Sequence, residues 1–374
     1  MKVCIVGGGH IGTTLACYIK YNCPDMTVSL YTRREEAFSE YIKCNDIERA
    51  ESYCVKLDII SSFANTAAKD ADIVFIALPH FAVEKAFSDI SSYVSSNAFI
   101  GVLPGCGGCE FFFDKYFDSN KTLFGFQRVP FTSKLVEYGK ETNLKSWKPF
   151  SVVGTLQRER IDLACDLIER CGLKTQKASN YLEIALTPTN PILHTSRMYE
   201  IFGKHEKDYE FHEKCKFFVG WTDEASKIMF AMDRELHDLL DQITELDTSA
   251  IRSLSEHYES PTVQDLTRKI NSIVTFQTVY APLKINQKGY YQADTSSRMF
   301  LEDFPWGLAI YRSYCKIFGI EAPAMDKLLK WYADYMGLKW YENGEFCGKD
   351  LCETGCLERY GIKDKEQLIA CYLR

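Results

Sequence analysis

Short apolar runs, separated by turns and by stretches with helical spacing, mark the first half of the chain. Runs rich in apolar and β-branched residues predict strands at 2–6, 27–31, 71–79, 99–103, 123–127 and 151–154. Apolar side chains at helical spacing follow the first run, and they recur over residues 158–171. Strands that alternate with helices are typical of a parallel sheet covered by helices on both faces. Residues 1–183 are therefore predicted to form an α/β domain.

From residue 184 the pattern changes to long helical periods, and strand-like runs become rare. Thr222 is a predicted N-cap, because two acidic residues follow it and apolar residues recur at helical spacing over 225–243. Further helices are predicted to begin with Pro261 and to cover residues 305–318 and 324–335. Residues 184–374 are therefore predicted to form a second, all-helical domain.

A glycine pattern joins the first predicted strand to the first predicted helix. Gly7, Gly9 and Gly12 form Gly-x-Gly-x-x-Gly, with His10 and Ile11 between the last two. The first glycine allows a tight turn, the second lets the backbone approach a pyrophosphate, and the third lets the helix lie close to the strand. The N–H groups at the helix start then bind phosphates. These five residues are predicted to contact a dinucleotide in a Rossmann-type domain, and a glycine-rich turn without a ligand is the alternative.

The end of the second predicted strand bears on the choice of nucleotide. Thr32, Arg33 and Arg34 stand where an acidic residue would bind the ribose 2′-hydroxyl of NAD, whereas an arginine accommodates the 2′-phosphate of NADP. The position favours NADP, with NAD still open, and a solvated basic loop balanced by the two following glutamates is the alternative. Leu78 and Pro79, at the carboxyl end of a buried run, are predicted to line the cofactor crevice.

The net charge and the distribution of cysteines limit the partners, the location and the metal sites that are expected for this protein. The 374 residues carry a formal net charge of -7, which argues against nucleic acid or an anionic membrane as the main partner. No apolar run is long enough to span a bilayer, and the expected location is the cytoplasm. The 15 cysteines are scattered through predicted strands and helices, as expected for reduced thiols. Neither the Cys106-x-x-Cys109 pair nor the group Cys347, Cys352 and Cys356 has the further ligands of a zinc site, so no metal is predicted.

Two segments of the second domain combine residue types suited to acid–base chemistry. Asn190 can cap a helix whose first position is Pro191, and His194 then lies one turn into that helix on the same face. The second segment contains Arg298 and Asp303 just before a predicted helix. Imidazole suits proton transfer near neutral pH, because its ordinary pKa is about 6.5. The alternatives are a surface histidine and an ordinary ion pair that steadies a loop.

Taken together, these motifs resemble those of the octopine/nopaline (opine) dehydrogenase family. The glycine pattern, Asn-Pro-x-x-His at 190–194 and Arg-x-x-x-x-Asp-x-Pro-x-Gly at 298–307 occur in the family's order and cover both halves of the chain. The resemblance implies a dinucleotide-binding domain followed by a helical opine domain. It also implies an NAD(P)H-dependent reductive condensation of an amino acid with an α-keto acid such as pyruvate.

The same resemblance implies a role for several side chains. His194 matches the catalytic histidine, Asp303 its aspartate partner, and Arg298 the arginine associated with the substrate carboxylate. Gln127 and Asn190 are expected to contact substrate. A related two-domain reductase of the ketopantoate or glycerol-3-phosphate type is an alternative, although such enzymes use a lysine that no motif here matches. A non-catalytic NADP-binding sensor is a further alternative, and a homodimer stays open.

Overall fold

The protein, described by a computed structural model, is defined over residues 1–187 and 190–374. Its internal contacts divide the chain into two compact units. The first unit comprises Met1–Ala185 with Ala370–Arg374, and the second comprises Leu186–Ile369. The domain limits given above stay a prediction, and each unit is described here by itself.

The first unit contains twelve strands within residues 1–187 together with several helices. The strands are β1 (Lys2–Val6), β2 (Thr27–Tyr31), β3 (Ile42–Asp46), β4 (Glu51–Val55), β5 (Ile59–Ser61), β6 (Ile73–Ile76), β7 (Phe99–Val102), β8 (Thr122–Phe126), β9 (Phe131–Glu137), β10 (Glu141–Trp147), β11 (Ser151–Thr155) and β12 (Thr175–Lys177). The helices are α1 (His10–Asn22), α2 (Ala64–Ala67), α3 (Val83–Ile90), α4 (Phe113–Tyr116), α5 (Ile161–Arg170) and α6 (Tyr181–Ala185), with short 3₁₀ turns at Glu35–Ala37, His80–Ala82, Cys109–Phe111 and Arg158–Arg160.

The main sheet of the first unit has the strand order β12-β11-β8-β7-β6-β1-β2-β5. Strand β1 pairs in parallel with both β2 and β6, and every residue of β6 is buried. A strand buried on both faces requires a continuous apolar run, and this is the pattern that revealed β6 in the sequence. The α/β class predicted for this unit is confirmed, with one antiparallel junction between β11 and β8.

A second sheet of the first unit, in the order β4-β3-β10-β9, was not predicted. Its strands carry many exposed polar residues, so they lack the apolar runs on which the strand predictions depend. The sheet packs against α1, where the hydroxyl oxygens of Thr14 and Thr142 lie 2.6 Å apart. Strand β9 lies beside the start of α1, because the hydroxyl of Ser133 donates to the carbonyl of His10 at 2.8 Å.

The second unit is mainly helical, with two short two-stranded ribbons that were not predicted. Its helices are α7 (Asn190–Phe202), α8 (Asp223–Leu240), α9 (Leu254–His257), α10 (Val263–Ser272), α11 (Arg298–Leu301), α12 (Ala309–Phe318), α13 (Pro323–Met336) and α14 (Lys365–Tyr372), whose last residues belong to the first unit. Its strands are β13 (Leu283–Ile285), β14 (Tyr291–Ala293), β15 (Tyr341–Glu342) and β16 (Glu345–Phe346). Among the helices described, none is both long enough and apolar enough to cross a membrane.

The helix starts of the second unit test the predicted caps. Thr222 caps α8 as predicted, because its hydroxyl accepts the N–H of Ala225 at 3.3 Å. The predicted start of α10 at Pro261 is wrong. The helix begins at Val263, because the hydroxyl of Thr262 accepts the N–H of Asp265 at 3.1 Å and so makes Thr262 the cap.

Candidate active site

The glycine turn between β1 and α1 is shaped by backbone packing. Gly7 has φ +112°, and a Cβ there would lie 2.7 Å from the carbonyl oxygen of Ala77. A Cβ on Gly12 would overlap the carbonyl oxygen of Gly7. A Cβ on Gly9, by contrast, would meet no atom within 4 Å among the residues described. The turn over residues 7–12, called the glycine cradle below, is therefore tightly packed at Gly7 and Gly12 and leaves open space at Gly9. A dinucleotide needs such space for its pyrophosphate.

The start of α1 faces this cradle with its backbone N–H groups. Gly9 is the N-cap residue, and as a glycine it has no side chain with which to cap the helix. The ring of His10 is turned to β9, where its Nδ1 accepts the N–H of Leu135 at 2.9 Å, while Ile11 packs against the core. The uncapped helix start supplies donors and a positive dipole end for phosphates. The side chains of His10 and Ile11 thus contact β9 and the core, and only their backbone lies at the glycine turn.

Thr32, Arg33 and Arg34 follow β2, and the first and last of them contact Tyr138, a residue that was missed in the sequence. The hydroxyl oxygens of Thr32 and Tyr138 are 3.2 Å apart, and the guanidinium of Arg34 stacks 3.7 Å from the centre of the Tyr138 ring. Arg33 is exposed. A Cβ on Gly8 would lie 2.7 Å from the Thr32 hydroxyl, so this loop packs directly on the glycine turn. No short-range pattern in the sequence connects Tyr138 with this loop.

The other residues predicted in the first unit lie at the ends of neighbouring strands. Leu78 and Pro79 follow β6, and the side chain of Leu78 would be 2.8 Å from a Cβ on Gly7. Gln127 follows β8, and its backbone N–H donates to the carbonyl of Val152 at 2.9 Å. The structure therefore brings Leu78 to the glycine turn, whereas Gln127 follows a different strand of the same sheet.

In the second unit, His194 and Asp303 form a hydrogen-bonded pair. The Nδ1 atom of His194 lies 2.8 Å from Oδ2 of Asp303, and the two side chains are only 15% and 10% exposed. Because a carboxylate accepts and cannot donate, Nδ1 carries the proton. The imidazole is thus fixed in one tautomer and orientation, with Nε2 left as the nitrogen for proton transfer.

Close packing between two segments produces this pair. A Cβ on Gly307 would lie 2.7 Å from Cγ of Pro191, so the turn at Phe304–Leu308 fits against the first turn of α7 only because residue 307 is glycine. That contact sets Asp303 beside His194. Asn190, at the exposed start of α7, lies one turn before the histidine.

Two phenylalanines and a buried arginine complete the surroundings of the histidine. The rings of Phe217 and Phe218 lie 5.6 and 5.9 Å from the imidazole, centre to centre. Arg197, one turn after His194 on α7, donates from Nε to the carbonyl of Phe217 at 2.6 Å and from its terminal nitrogens to the carbonyls of Val219 and Gly220 at 3.1 Å. Arg197 therefore fixes the loop that walls the imidazole, although no motif in the sequence singled it out.

Arg298, the predicted ligand of the substrate carboxylate, is paired with a buried acidic residue. Its Nε pairs with the carboxylate of Glu302, and its side chain is 61% exposed whereas that of Glu302 is 5% exposed. The buried carboxylate orients an exposed guanidinium. The structure thus brings His194 and Asp303 into contact, whereas Arg298 is joined to Glu302.

Comparison with known proteins identifies the family. The family model described as NAD/NADP octopine/nopaline dehydrogenase, alpha-helical domain, matches residues 177–336. The opine dehydrogenase of Haliotis discus hannai is 27% identical, with 99% of this chain and 98% of that protein aligned. This chain belongs to the opine dehydrogenase family. The tauropine dehydrogenase of Arabella iricolor is 25% identical, with 98% of this chain and 99% of that protein aligned.

Solved structures agree with the fold of this opine dehydrogenase family member. Octopine dehydrogenase with NADH and L-arginine superposes with a TM-score of 0.84 at 21% identity, covering 98% of this chain and 97% of that one. Yersinopine dehydrogenase with NADP⁺ gives a TM-score of 0.69 at 12% identity, covering 98% of each chain. The family model for the N-terminus of NAD-dependent glycerol-3-phosphate dehydrogenase matches residues 2–104. The predicted fold class is therefore confirmed, and the family is one of NAD(P)-dependent oxidoreductases.

Proposed function

We propose that this protein is an opine dehydrogenase, which joins the amino group of an amino acid to the carbonyl carbon of an α-keto acid, with pyruvate as the first candidate. The observation that carries the proposal is the His194–Asp303 pair at 2.8 Å, in a chain that also has a glycine cradle for a dinucleotide. The names of the relatives, which include opine and tauropine dehydrogenases, support this class of reaction.

The proposed chemistry needs two proton movements that one imidazole can perform. Neutral His194 accepts a proton at Nε2 from the ammonium group of the amino acid, so that the free amine attacks the keto carbon. The imidazolium then returns the proton to the carbinolamine oxygen, which leaves as water when the imine forms. Asp303 stabilises the imidazolium between these steps through its hydrogen bond to Nδ1. Bound NAD(P)H supplies the hydride that reduces the imine.

We also propose substrate-binding roles for three polar side chains. A guanidinium binds a carboxylate through two parallel hydrogen bonds, and the pairing with Glu302 orients that of Arg298. Asn190 shares a helix with His194, and Gln127 follows a strand end of the first unit. These positions support contacts with the keto acid and the amino acid.

NADPH is the proposed cofactor, with NADH as the second choice. Thr32, Arg33 and Arg34 include no acidic side chain for the ribose 2′-hydroxyl of NAD. The stacking of Arg34 on Tyr138 holds one guanidinium at the end of β2, and Arg33 is exposed beside it. The guanidinium groups of Arg33 and Arg34 would both neutralise the charge of a 2′-phosphate bound at the end of β2.

The decisive assay follows oxidation of NADPH and NADH with pyruvate alone, with each amino acid alone, and with both. Oxidation that requires both substrates, with an opine product identified by mass spectrometry, supports the proposal. Oxidation with the keto acid alone would assign the protein to the 2-keto acid reductases. Nucleotide binding without turnover for any pair would favour a sensor.

The cofactor proposal has a separate test in Arg33→Ala. We expect the KM for NADPH to rise about tenfold and that for NADH to change less than about twofold, because only the 2′-phosphate is lost as a partner. Arg170→Ala, which removes an exposed arginine at the end of α5, is the matched control. Equal effects of Arg33→Ala on both nucleotides would contradict the proposal.

A further inference from the structure

A cysteine–histidine pair lies in the first unit outside the residues used above. Cys106 follows β7, and His80 follows Pro79 at the end of β6. The Sγ atom of Cys106 is 3.3 Å from Nε2 of His80, which is within hydrogen-bonding distance for sulfur. His80 is buried, whereas the thiol is partly exposed. A reagent can therefore reach the sulfur while the imidazole stays protected behind it.

The loop that carries Cys106 is built to lie over the imidazole. Gly107 and Gly108 have φ +85° and +79°, values that favour glycine. A Cβ on Gly107 would lie 2.5 Å from Cγ of His80, so no other residue fits at that position without moving the ring. The short distance between sulfur and imidazole thus follows from two glycines of the Cys-x-x-Cys segment.

A buried carboxyl group completes the cluster. Glu110 is 1% exposed, its Oε1 accepts the hydroxyl of Tyr372 at 2.6 Å, and its Oε2 has no hydrogen-bond partner among the residues described. Glu110 and His80 interact electrostatically. An ionised Glu110 therefore stabilises the imidazolium that forms when His80 accepts the thiol proton.

We propose that Cys106 is a site of covalent modification by thiol-directed electrophiles, with His80 as the base that takes the thiol proton. With iodoacetamide, the sulfur attacks the methylene carbon, the carbon–sulfur bond forms as the carbon–iodine bond breaks, and iodide leaves. The proton of the thiol passes to Nε2 of His80. No electron is transferred to or from an outside reagent in this step.

The position of Cys106 links its modification to the nucleotide. Strands β1, β6 and β7 are neighbours and run parallel, so their carboxyl ends share one edge of the sheet. The glycine cradle follows β1, and the loop of Cys106 follows β7, while dinucleotides bind along this edge. A thioether at Cys106 is therefore expected to hinder the binding of NAD(P)H. The thiol chemistry itself does not depend on the proposed opine reaction.

Other cysteines provide internal references for reactivity. Cys54 is exposed on β4, and no imidazole bonds its thiol among the residues described. Cys109, the second cysteine of the motif, is buried, and burial raises the pKa of its thiol well above the usual range. Exposure alone would make Cys54 react faster than Cys106, whereas activation by His80 reverses that order.

The test labels the full chain with iodoacetamide at pH 7 and measures the rate at each cysteine by peptide mass spectrometry. We expect Cys106 to react about tenfold faster than Cys54, and His80→Gln to remove this advantage while the rate at Cys54 stays unchanged. Gly107→Ala, which displaces the ring instead of replacing it, should have the same direction of effect. A rate at Cys106 no higher than that at Cys54, or one that neither variant lowers, would overturn the proposal.

The link to the nucleotide has its own readouts. Saturating NADPH should slow labelling of Cys106 by about tenfold or more and leave Cys54 unaffected. Labelling should weaken NADPH binding in the native protein, and Cys106→Ser should keep its own nucleotide affinity after the same treatment. If NADPH gives no protection, the modified thiol lies outside the nucleotide site and that part of the proposal fails.

Discussion

The glycine cradle of the first unit and the histidine pair of the second are held in place in different ways. The cradle depends on backbone packing between Gly7, Gly12 and the strand end at Ala77. The pair joins side chains that are 109 residues apart, and a third segment at Phe217 and Phe218 walls it. The shape of the cradle thus comes mainly from backbone packing, whereas the pair requires side chains from three separate segments.

Replacing the histidine tests the second region most severely. For His194→Gln we expect kcat to fall by about 10²–10⁴-fold, because glutamine cannot exchange a proton, while the dissociation constant for NADPH stays unchanged. Stopped-flow kinetics and nucleotide titration measure the two quantities. His212→Gln, at an exposed histidine of the same unit, is the control and should retain full activity. A loss of folding stability without loss of rate would show that the pair is structural.

Two alanine substitutions in the cradle separate packing from ligand contact. Gly12→Ala places a Cβ on the Gly7 carbonyl, so we expect an unfolding free energy lower by about 1–3 kcal/mol together with loss of nucleotide binding. Gly9→Ala adds a Cβ in open space and should leave the melting temperature nearly unchanged, yet weaken NADPH because the methyl group occupies the space of the pyrophosphate. If both variants bind nucleotide normally, the cradle has no such role.

The difference between local and long-range contacts also explains which elements of the fold could be predicted from the sequence. Strand β6 and the cap at Thr222 were found because an apolar run and a local hydrogen bond suffice to define them. The sheet of β3, β4, β9 and β10 was missed, because its strands are polar and β10 pairs with β3 across about a hundred residues. The start of α10 was misplaced because Pro261, a typical first residue of a helix, stands directly before Thr262, which is the N-cap in the structure.

The residues of the candidate site also fall into those with a local sequence motif and those placed only by long-range contacts. His194, Asp303 and the glycines were found through short motifs. Arg197 and Tyr138 were not, because a single arginine on a helix or a tyrosine in a turn has no periodicity that separates a buried role from an exposed one. Their contacts with Phe217 and Arg34 come from the fold alone.

Arg197→Lys tests how far the histidine depends on its distant neighbours. A lysine keeps the charge but cannot bond the carbonyls of Phe217, Val219 and Gly220 together, so we expect the unfolding free energy to fall by about 1–3 kcal/mol. We also expect kcat to fall about tenfold with little change in the KM for NADPH, because the wall of the imidazole loosens. Chemical denaturation and steady-state kinetics measure both. An unchanged kcat would mean that the hydrogen bond between His194 and Asp303 positions the imidazole without any contribution from Arg197.

The first unit also contains a buried long-range contact, between Glu110 and Tyr372, and its pH dependence sharpens the comparison. Burial raises the pKa of Glu110 to about 7, from an ordinary value near 4.5 that it regains in the unfolded chain. Between these values the folded protein holds a proton that the unfolded chain has released, so the unfolding free energy falls as the pH rises through this range.

Glu110→Gln keeps an acceptor for the Tyr372 hydroxyl and removes the titration. We therefore expect the difference in unfolding free energy between wild type and variant to shift by up to about 1.4 kcal/mol per pH unit between pH 5 and 7, with the wild type losing stability as the pH rises. Urea denaturation at several pH values measures this slope, and Glu51→Gln, at an exposed carboxylate on β4, should show none. Parallel pH profiles for wild type and Glu110→Gln would show that this carboxyl group titrates normally in the folded protein.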